Sequence, residues 1–332
     1  MKSEIQSTLE LFAENVYTIE REKKLQWDDA HRMAALLYAQ ENKQVDGDSI
    51  RACLDLIKAN TGLFSVFKGN VSLATLLSLS EGPEALFENV VTVYDLLKGA
   101  KFSASEFLAM AAYMIAVQAE PENYQNIVER TRAFYDGMKA SHRFLTGQDD
   151  YIHAAMLGLS GLDVTAGVER MEQLYQQLKE EFKGFDSIQA LAQVLTLVDC
   201  DEQTISRLLA LRDEMKARKT RLDKGYTLQI LGLLAALPVD AATLVSEIAE
   251  AHEYLRKQKG LGDFSTDAEE RLTYAASVVA RGYVTDIRDG VLTAALSTSI
   301  LNILIEQQVV MMMLIAYVAT GAVTAAMATA GD

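Results

Sequence analysis

Long apolar stretches alternate with amphipathic ones along this chain. Tyr151 to Leu159, Ile188 to Val198 and Tyr226 to Leu237 are hydrophobic nearly all round, the pattern of a helix buried on every side. Val168, Met171, Leu174, Tyr175, Leu178 and Phe182 instead form one stripe at helical spacing, as do Val90, Val91, Tyr94 and Leu97. A single stripe marks an outer helix packed on an inner one. The alternation predicts an all-α fold of stacked antiparallel helix pairs, about six of them between Trp27 and Tyr283, with the apolar helix first in each pair. Trp27, at the head of the first unit, reads as a core anchor.

Residues with backbone duties repeat on the same scale. Pro83, Pro121 and Pro238 each stand between an apolar stretch and an amphipathic one. Proline is tolerated at the first helical turn, where its missing N–H has no partner to lose, so each is placed at the start of a second helix. Asp149, Asp186 and Asp223 are spaced by 37 residues and are read as caps of the following helix. Gly62 and Gly99 share that interval, as do Gly147 and Gly184, and are read as left-handed exits from helices. An aromatic residue or leucine precedes many of these caps: Phe102, Phe144, Phe185, Leu222 and Phe264. A period of 37–42 residues suits a solenoid-like α–α array.

The ends differ from the middle. Ile5, Leu9, Phe12, Val16 and Ile19 form a stripe over residues 1–26, expected to be a capping helix that closes the exposed end of the array, residues 27–290. Residues 291–332 are expected to form an apolar helix or hairpin. From Val309 to Gly331 there are 23 residues without formal charge, long enough to span a bilayer. The Ala- and Thr-rich second half and the lack of a flanking Lys or Arg favour a helix packed in the fold or across a homodimer over a membrane anchor.

Composition narrows the function classes. Half the residues are hydrophobic and 23% charged, ordinary for a globular protein. The net charge of −15 repels phosphates, so nucleic acid is not an expected partner. Cys53 and Cys200 sit inside helical patterns without metal-type spacing and read as thiols of a reducing, cytosolic compartment. Basic residues gather where second helices end and acidic ones where they begin, which the helix macrodipole explains without a ligand. There is no glycine-rich phosphate loop, Cys-x-x-Cys, His-Glu-x-x-His or Gly-x-Ser-x-Gly, so no catalytic residue or cofactor is assigned. His31 and His252 read as surface side chains.

One connection breaks the pattern. HRFLTGQDDYIHAA, residues 142–155, gathers His142, Arg143, Asp149, Asp150 and His153, two of the chain's four histidines among them. With a helix starting near Asp149, Asp150 and His153 share a face. A carboxylate and an imidazole there suit a metal, a small ligand or acid–base chemistry. Against this, Asp149 as a cap and Thr146–Gly147 as the turn explain the same residues structurally. FLTGQDDY after a histidine, the helical layout and the QQ-x-x-MMM tail resemble an uncharacterised bacterial family, domain of unknown function 4003, matched at His142, Phe144, Thr146, Gly147 and Asp150. That resemblance implies a bacterial cytosolic helical protein and offers no activity to carry over. The expected function is a scaffold for a protein partner. The alternatives are a metal- or small-ligand-binding protein or enzyme built on His142–His153, and an adaptor tethered through 309–331.

Overall fold

The computed structural model describes residues 1–22, 30–62 and 65–287. Trp27 lies outside them, as does the whole apolar segment 291–332, with the expectations of a buried helix, homodimer contact or anchor at 309–331. The described residues form fourteen α-helices and no strand: α1 (Ser3–Glu22), α2 (Ala30–Gln40), α3 (Gly47–Ala59), α4 (Val71–Leu79), α5 (Pro83–Gly99), α6 (Glu106–Gln118), α7 (Tyr124–Ser141), α8 (Tyr151–Leu159), α9 (Val164–Leu178), α10 (Phe185–Leu197), α11 (Glu202–Ala217), α12 (Thr227–Ala236), α13 (Ala241–Arg256) and α14 (Ala268–Ile287). No described helix is long and apolar enough to cross a membrane.

The even-numbered helices are the inner layer. In α8 every residue from Tyr151 to Gly158 is buried, and in α12 every residue from Thr227 to Ala236. Odd-numbered helices bury one stripe, such as Met171, Leu174, Tyr175 and Leu178 in α9. The tightest hairpins join each amphipathic helix to the apolar helix after it, α7 to α8 and α9 to α10 for example. This reverses the expected pairing order, so the long 142–150 connection lies within a hairpin and not between two. Gly158 shows how close that packing is: a Cβ there would stand 2.9 Å from the backbone nitrogen of Thr131 on α7.

Carboxylate caps occur, but not where the 37-residue spacing of aspartates places them. Asp163 and Asp201 accept from Ala166 N–H at 3.0 Å and Thr204 N–H at 2.7 Å. Asp46 and Asp240 do the same for α3 and α13. All four open outer helices. Asp186 instead lies in the first turn of α10, whose cap is Gly184. Asp223 is held by Arg221 at 2.8 Å, short of α12, and Asp149 precedes the α8 cap residue, Asp150. The aspartate periodicity thus tracks loop composition, not capping. Pro83 does occupy the first turn of α5, and Pro121 opens a 3-10 turn leading into α7. Pro238 stands in the bend before the Asp240 cap, outside the helix. Of the four glycines expected to be left-handed only Gly184 is, at φ 92°. Lys101, Asp199 and Lys219 take positive φ after other helices.

Arginines complete the ends of the inner helices. Arg130 on α7 donates to the carbonyls of Gly158, in the last turn of α8, and of Ser160 and Leu162 just beyond it, at 2.7–2.9 Å. Arg170 on α9 reaches Cys200 O at 2.8 Å after α10, and Arg207 on α11 reaches Ala235 O at 2.8 Å in α12. Terminal helix carbonyls have no partner within their own helix, and a buried end must find one elsewhere.

The two ends of the array meet. The α1 stripe is buried as expected, but α1 packs on α13 and α14 as well as on α2, and α14 packs on α2. Phe12 meets Tyr274 edge-on at 5.3 Å. Buried Arg32 bridges the seam, donating to Gly260 O at 3.3 Å and Ser265 O at 2.5 Å and pairing with Glu270 at 3.4 Å. Arg271 holds the same loop from the other side, through Leu261 and Thr266 carbonyls at 3.0 Å and Asp263 at 2.6 Å. His252, expected on the surface, is half-buried and accepts from Arg271 Nε at 3.3 Å.

Two stability outcomes follow, both read by urea unfolding. Arg32→Met leaves Glu270 with a buried charge and is expected to cost about 3–5 kcal/mol. Arg218→Met, which breaks an exposed pair one turn apart with Glu214, should cost no more than about 0.5 kcal/mol. Similar losses from both would remove the seam from its structural role. Asp163→Ala should cost about 0.5–2 kcal/mol, whereas Asp186→Ala should stay within about 0.5 kcal/mol. The reverse order would restore the aspartate spacing as a capping signal.

Candidate functional site

After α7 ends, the chain makes a tight turn. Leu145 and Thr146 N–H groups donate to His142 O at 3.1 and 3.0 Å. The His142 ring turns toward α9, with Nε2 2.7 Å from Glu172 Oε2, though not in hydrogen-bonding geometry, and its centroid 4.1 Å from that of Tyr175. Arg143 and Phe144 point to solvent, and Asp149 is exposed. Thr146, Asp150 and His153 are buried. The five residues expected to form one constellation are therefore split: His142 joins α9, Arg143 joins nothing inside, and Asp150 and His153 share the interior.

Asp150 is the hub of that interior. Its Oδ2 accepts from Gly147 N–H at 2.9 Å, and its Oδ1 accepts from Gln193 Nε2 at 2.8 Å and Gln189 Nε2 at 3.2 Å. Gln189 also donates to Thr146 at 3.2 Å. An ionised carboxylate only accepts, so it orients both carboxamides with their NH2 groups inward. Their Oε1 atoms are consequently left buried without a partner. Burial pushes the Asp150 carboxyl above the usual carboxylate range, opposed by the Gln193 hydrogen bond. Burial pushes the His153 imidazole below its ordinary value, opposed by the Asp150 and Asp149 charges.

A cavity of about 160 Å³ opens beside this network, between the N-terminal parts of α8, α10 and α12. Asp149, Asp150, His153, Asp186, Tyr226 and Gln229 line it, with apolar wall from Leu145 and Ala190. Gln229 is buried, and its Oε1 has no hydrogen-bond partner. The Tyr226 hydroxyl is held protonated by burial first and then by Glu269, Asp267 and Glu270. Gln189 and Gln193 line a second, smaller cavity together with His142, Glu172 and Tyr175, so the hydrogen bonds to Asp150 join the two.

No group of three or more His, Cys, Asp or Glu side chains able to hold a metal occurs among the described residues. The charged side chains lining the larger cavity are carboxylates, which accept hydrogen bonds. Sequence reasoning found Asp150 and His153 but missed Gln189, Gln193, Gln229 and Tyr226. The signal was present: three glutamines interrupt stretches otherwise apolar on every side, two of them four residues apart on one helical face.

The chain belongs to the family described as "Protein of unknown function (DUF4003)", whose model matches residues 17–310. It is also similar to the "Uncharacterized protein YeaA" of Bacillus subtilis (strain 168), with 26% identity over 204 residues, 59% of this chain and 58% of the relative. The match thus spans little more than half the length of that relative. No solved structure matches.

The lowered His153 pKa has a consequence for stability. An unfolded imidazole titrates at its ordinary value of 6.5 and the folded one below it. In between, the unfolded chain binds more protons, so stability falls as pH drops below 6.5. Asp150 is shifted up from 3.8 and acts with the opposite sign as pH rises from there, so the informative comparison is between variants at matched pH. His153→Asn should lose less stability than the unaltered protein between about pH 7 and about pH 5. Equal losses in urea titrations would show that His153 keeps its ordinary pKa.

Proposed function

We propose that the protein is a cytosolic helical-repeat scaffold that holds a protein partner on the rim where amphipathic helices turn into the apolar helices that follow. One observation carries this reading. Phe144 and Phe264 are fully exposed and Phe185 is 67% exposed, at three such turns. Phe102 and Leu222, at two further turns of the same kind, are buried. A lone exposed apolar side chain is ordinary, and the recurrence of an exposed phenylalanine at corresponding turns is what supports a contact surface along this rim. The net charge of −15 favours a basic partner through long-range attraction. The cysteines, both free and buried, fit a reducing compartment.

Some of the rim's charges are paired among themselves. Arg218 pairs with Glu214, Arg221 with Asp223, and Arg256 with Glu253 and Asp263. Part of the basic charge near the outer helix ends is thus met by neighbouring carboxylates, while Lys101, Arg143, Lys183, Lys216 and Lys219 are exposed there as well.

The test is a triple variant, Phe144→Ser, Phe185→Ser and Phe264→Ser, in full-length tagged protein captured from the native host. The unaltered protein should recover a reproducible partner, and the triple variant should lose it with an unchanged melting temperature. Retention of the same partner by the variant, or no reproducible partner for the unaltered protein, would sink the reading.

A further inference from the structure

We infer that His252 is a proton switch on the loop between α13 and α14, residues 257–267. A second proton on its ring, at Nε2, breaks the contact with Arg271 and loosens the loop that carries Phe264. The geometry fixes the resting state of the ring. Arg271 Nε donates to His252 Nε2 at 3.3 Å, and a guanidinium has no acceptor to offer. Nε2 therefore carries a lone pair, which places the single imidazole proton on Nδ1. The backbone at Ala268 hydrogen-bonds the same ring. Protonation at Nε2 sets an N–H against an N–H and a cation against a cation. His252 is half-buried and keeps a path to solvent, whereas Arg271 is 1% exposed and cannot turn to water for another acceptor.

Arg271 matters because it holds the loop from α14. It donates to the Leu261 and Thr266 carbonyls at 3.0 Å and to Asp263 at 2.6 Å. Within the loop, Ser265 and Thr266 N–H groups donate to Gly262 O at 2.9 and 3.0 Å, so their exchange with solvent reports whether the loop is closed. The Arg32 bonds to Gly260 and Ser265 carbonyls do not involve the imidazole, so the loop loosens without parting from the seam.

The surrounding charges do not offset an imidazolium. On α13, Glu253 pairs with Arg256 at 2.8 Å and Lys257 at 3.3 Å. In the loop, Asp263 is shared by Arg256 and Arg271. Arg256, Lys257 and Arg271 already share Glu253 and Asp263, and a charged His252 adds one more cation. At the start of α14, Asp267 caps the helix, Glu269 pairs with Lys224 and Glu270 with Arg32. α1 and α11 also pack on α13. Glu10 acts there on Tyr254, and Arg218 lines a cavity with Glu250, Glu253, Tyr254 and Lys257. Glu250, Tyr254 and Lys257 stand roughly opposite His252 around the helix. Burial first and then Arg271 hold the His252 imidazole below its ordinary 6.5, against the pull of Glu253. The folded state therefore loses stability as pH falls below 6.5.

The inference does not rest on the scaffold reading, although a loosened Phe264 alters the rim on which that reading depends. Hydrogen exchange of the full-length protein, read by mass spectrometry, tests it without a partner. Rates are compared at about pH 7.5 and about pH 5, after correction for the intrinsic pH dependence of exchange. Protection of residues 257–267 should fall at least about tenfold at the lower pH, while α9, outside the seam, keeps its own. His252→Gln offers Arg271 a neutral carbonyl acceptor and does not titrate, so it should hold the loop's protection at both pH values. His252→Asn, shorter and also neutral, is the second variant, read where glutamine lowers the melting temperature. Equal loop protection at both pH values in the unaltered protein, or the same pH-dependent loss in both variants, overturns the inference. An equal loss in α9 also overturns it, because the whole fold and not the loop would then be responding.

Discussion

A helix of nine or ten residues that is apolar on every face cannot stand alone, and this structure is organised around several of them. α4 and α8 have nine residues and α12 has ten, below the length at which isolated helices persist in water. Burying them on all sides supplies the stabilisation that their length denies. It also buries their C-terminal carbonyls, which no longer have water as a partner. Arg130, Arg170 and Arg207 answer that second problem from the outer layer. An outer helix is therefore more than a cover: its one stripe packs the inner helix along its length while its arginine closes the end.

The same requirement explains why the array does not stop at an exposed end. An inner helix at the end of an open stack would present an apolar flank to solvent. Here α14 lies against α2, and α1 spans both. The seam then has to join loops as well as helices, and Arg32 and Arg271 do so through backbone carbonyls of residues 260–266 and through Glu270 and Asp263. Guanidinium suits this position, because its planar fork serves several carbonyls at once and its charge is met by a carboxylate.

How much of this was legible depends on the range of the interactions involved. The inner and outer layers follow from local periodicity, since a helix surrounded by protein and one with a wet face leave different patterns. The α1 stripe was visible for the same reason, from Ile5 to Ile19. The seam was not visible, because Arg32 and Glu270 are 238 residues apart and nothing local distinguishes Arg32 from a surface arginine. The hairpin phase was misread because pairing order depends on which faces touch, which periodicity does not encode. Asp186 illustrates a subtler failure: it matches a capping pattern by residue type and spacing, yet Gly184, two positions earlier, already begins the helix. In the candidate site, Asp150 and His153 were found through their spacing on one helix. Gln189, Gln193 and Gln229 reach the site from two other helices, and only packing brings them there.

The polar groups of the inner layer fall into two kinds. Thr75 and Thr196 donate to the carbonyls of Val71 and Ala192 in their own helices. A short hydroxyl can satisfy itself in this way wherever it sits. A glutamine carboxamide cannot, since its reach carries it away from its own backbone and it needs both a donor and an acceptor. Gln189, Gln193 and Gln229 each retain a buried oxygen without a partner, and all three belong to the adjoining inner helices α10 and α12. Asp150, the cap residue of α8, and His153 within it complete the polar interior on the neighbouring side. Three unmet carboxamide oxygens are therefore gathered in one sector of the inner layer. Gln189 and Gln193 answer a folding requirement, because their NH2 groups hydrogen-bond the buried Asp150 carboxylate and leucine there would strip it of two donors; only Gln229, which bonds to none of these groups, could be replaced by leucine without that loss.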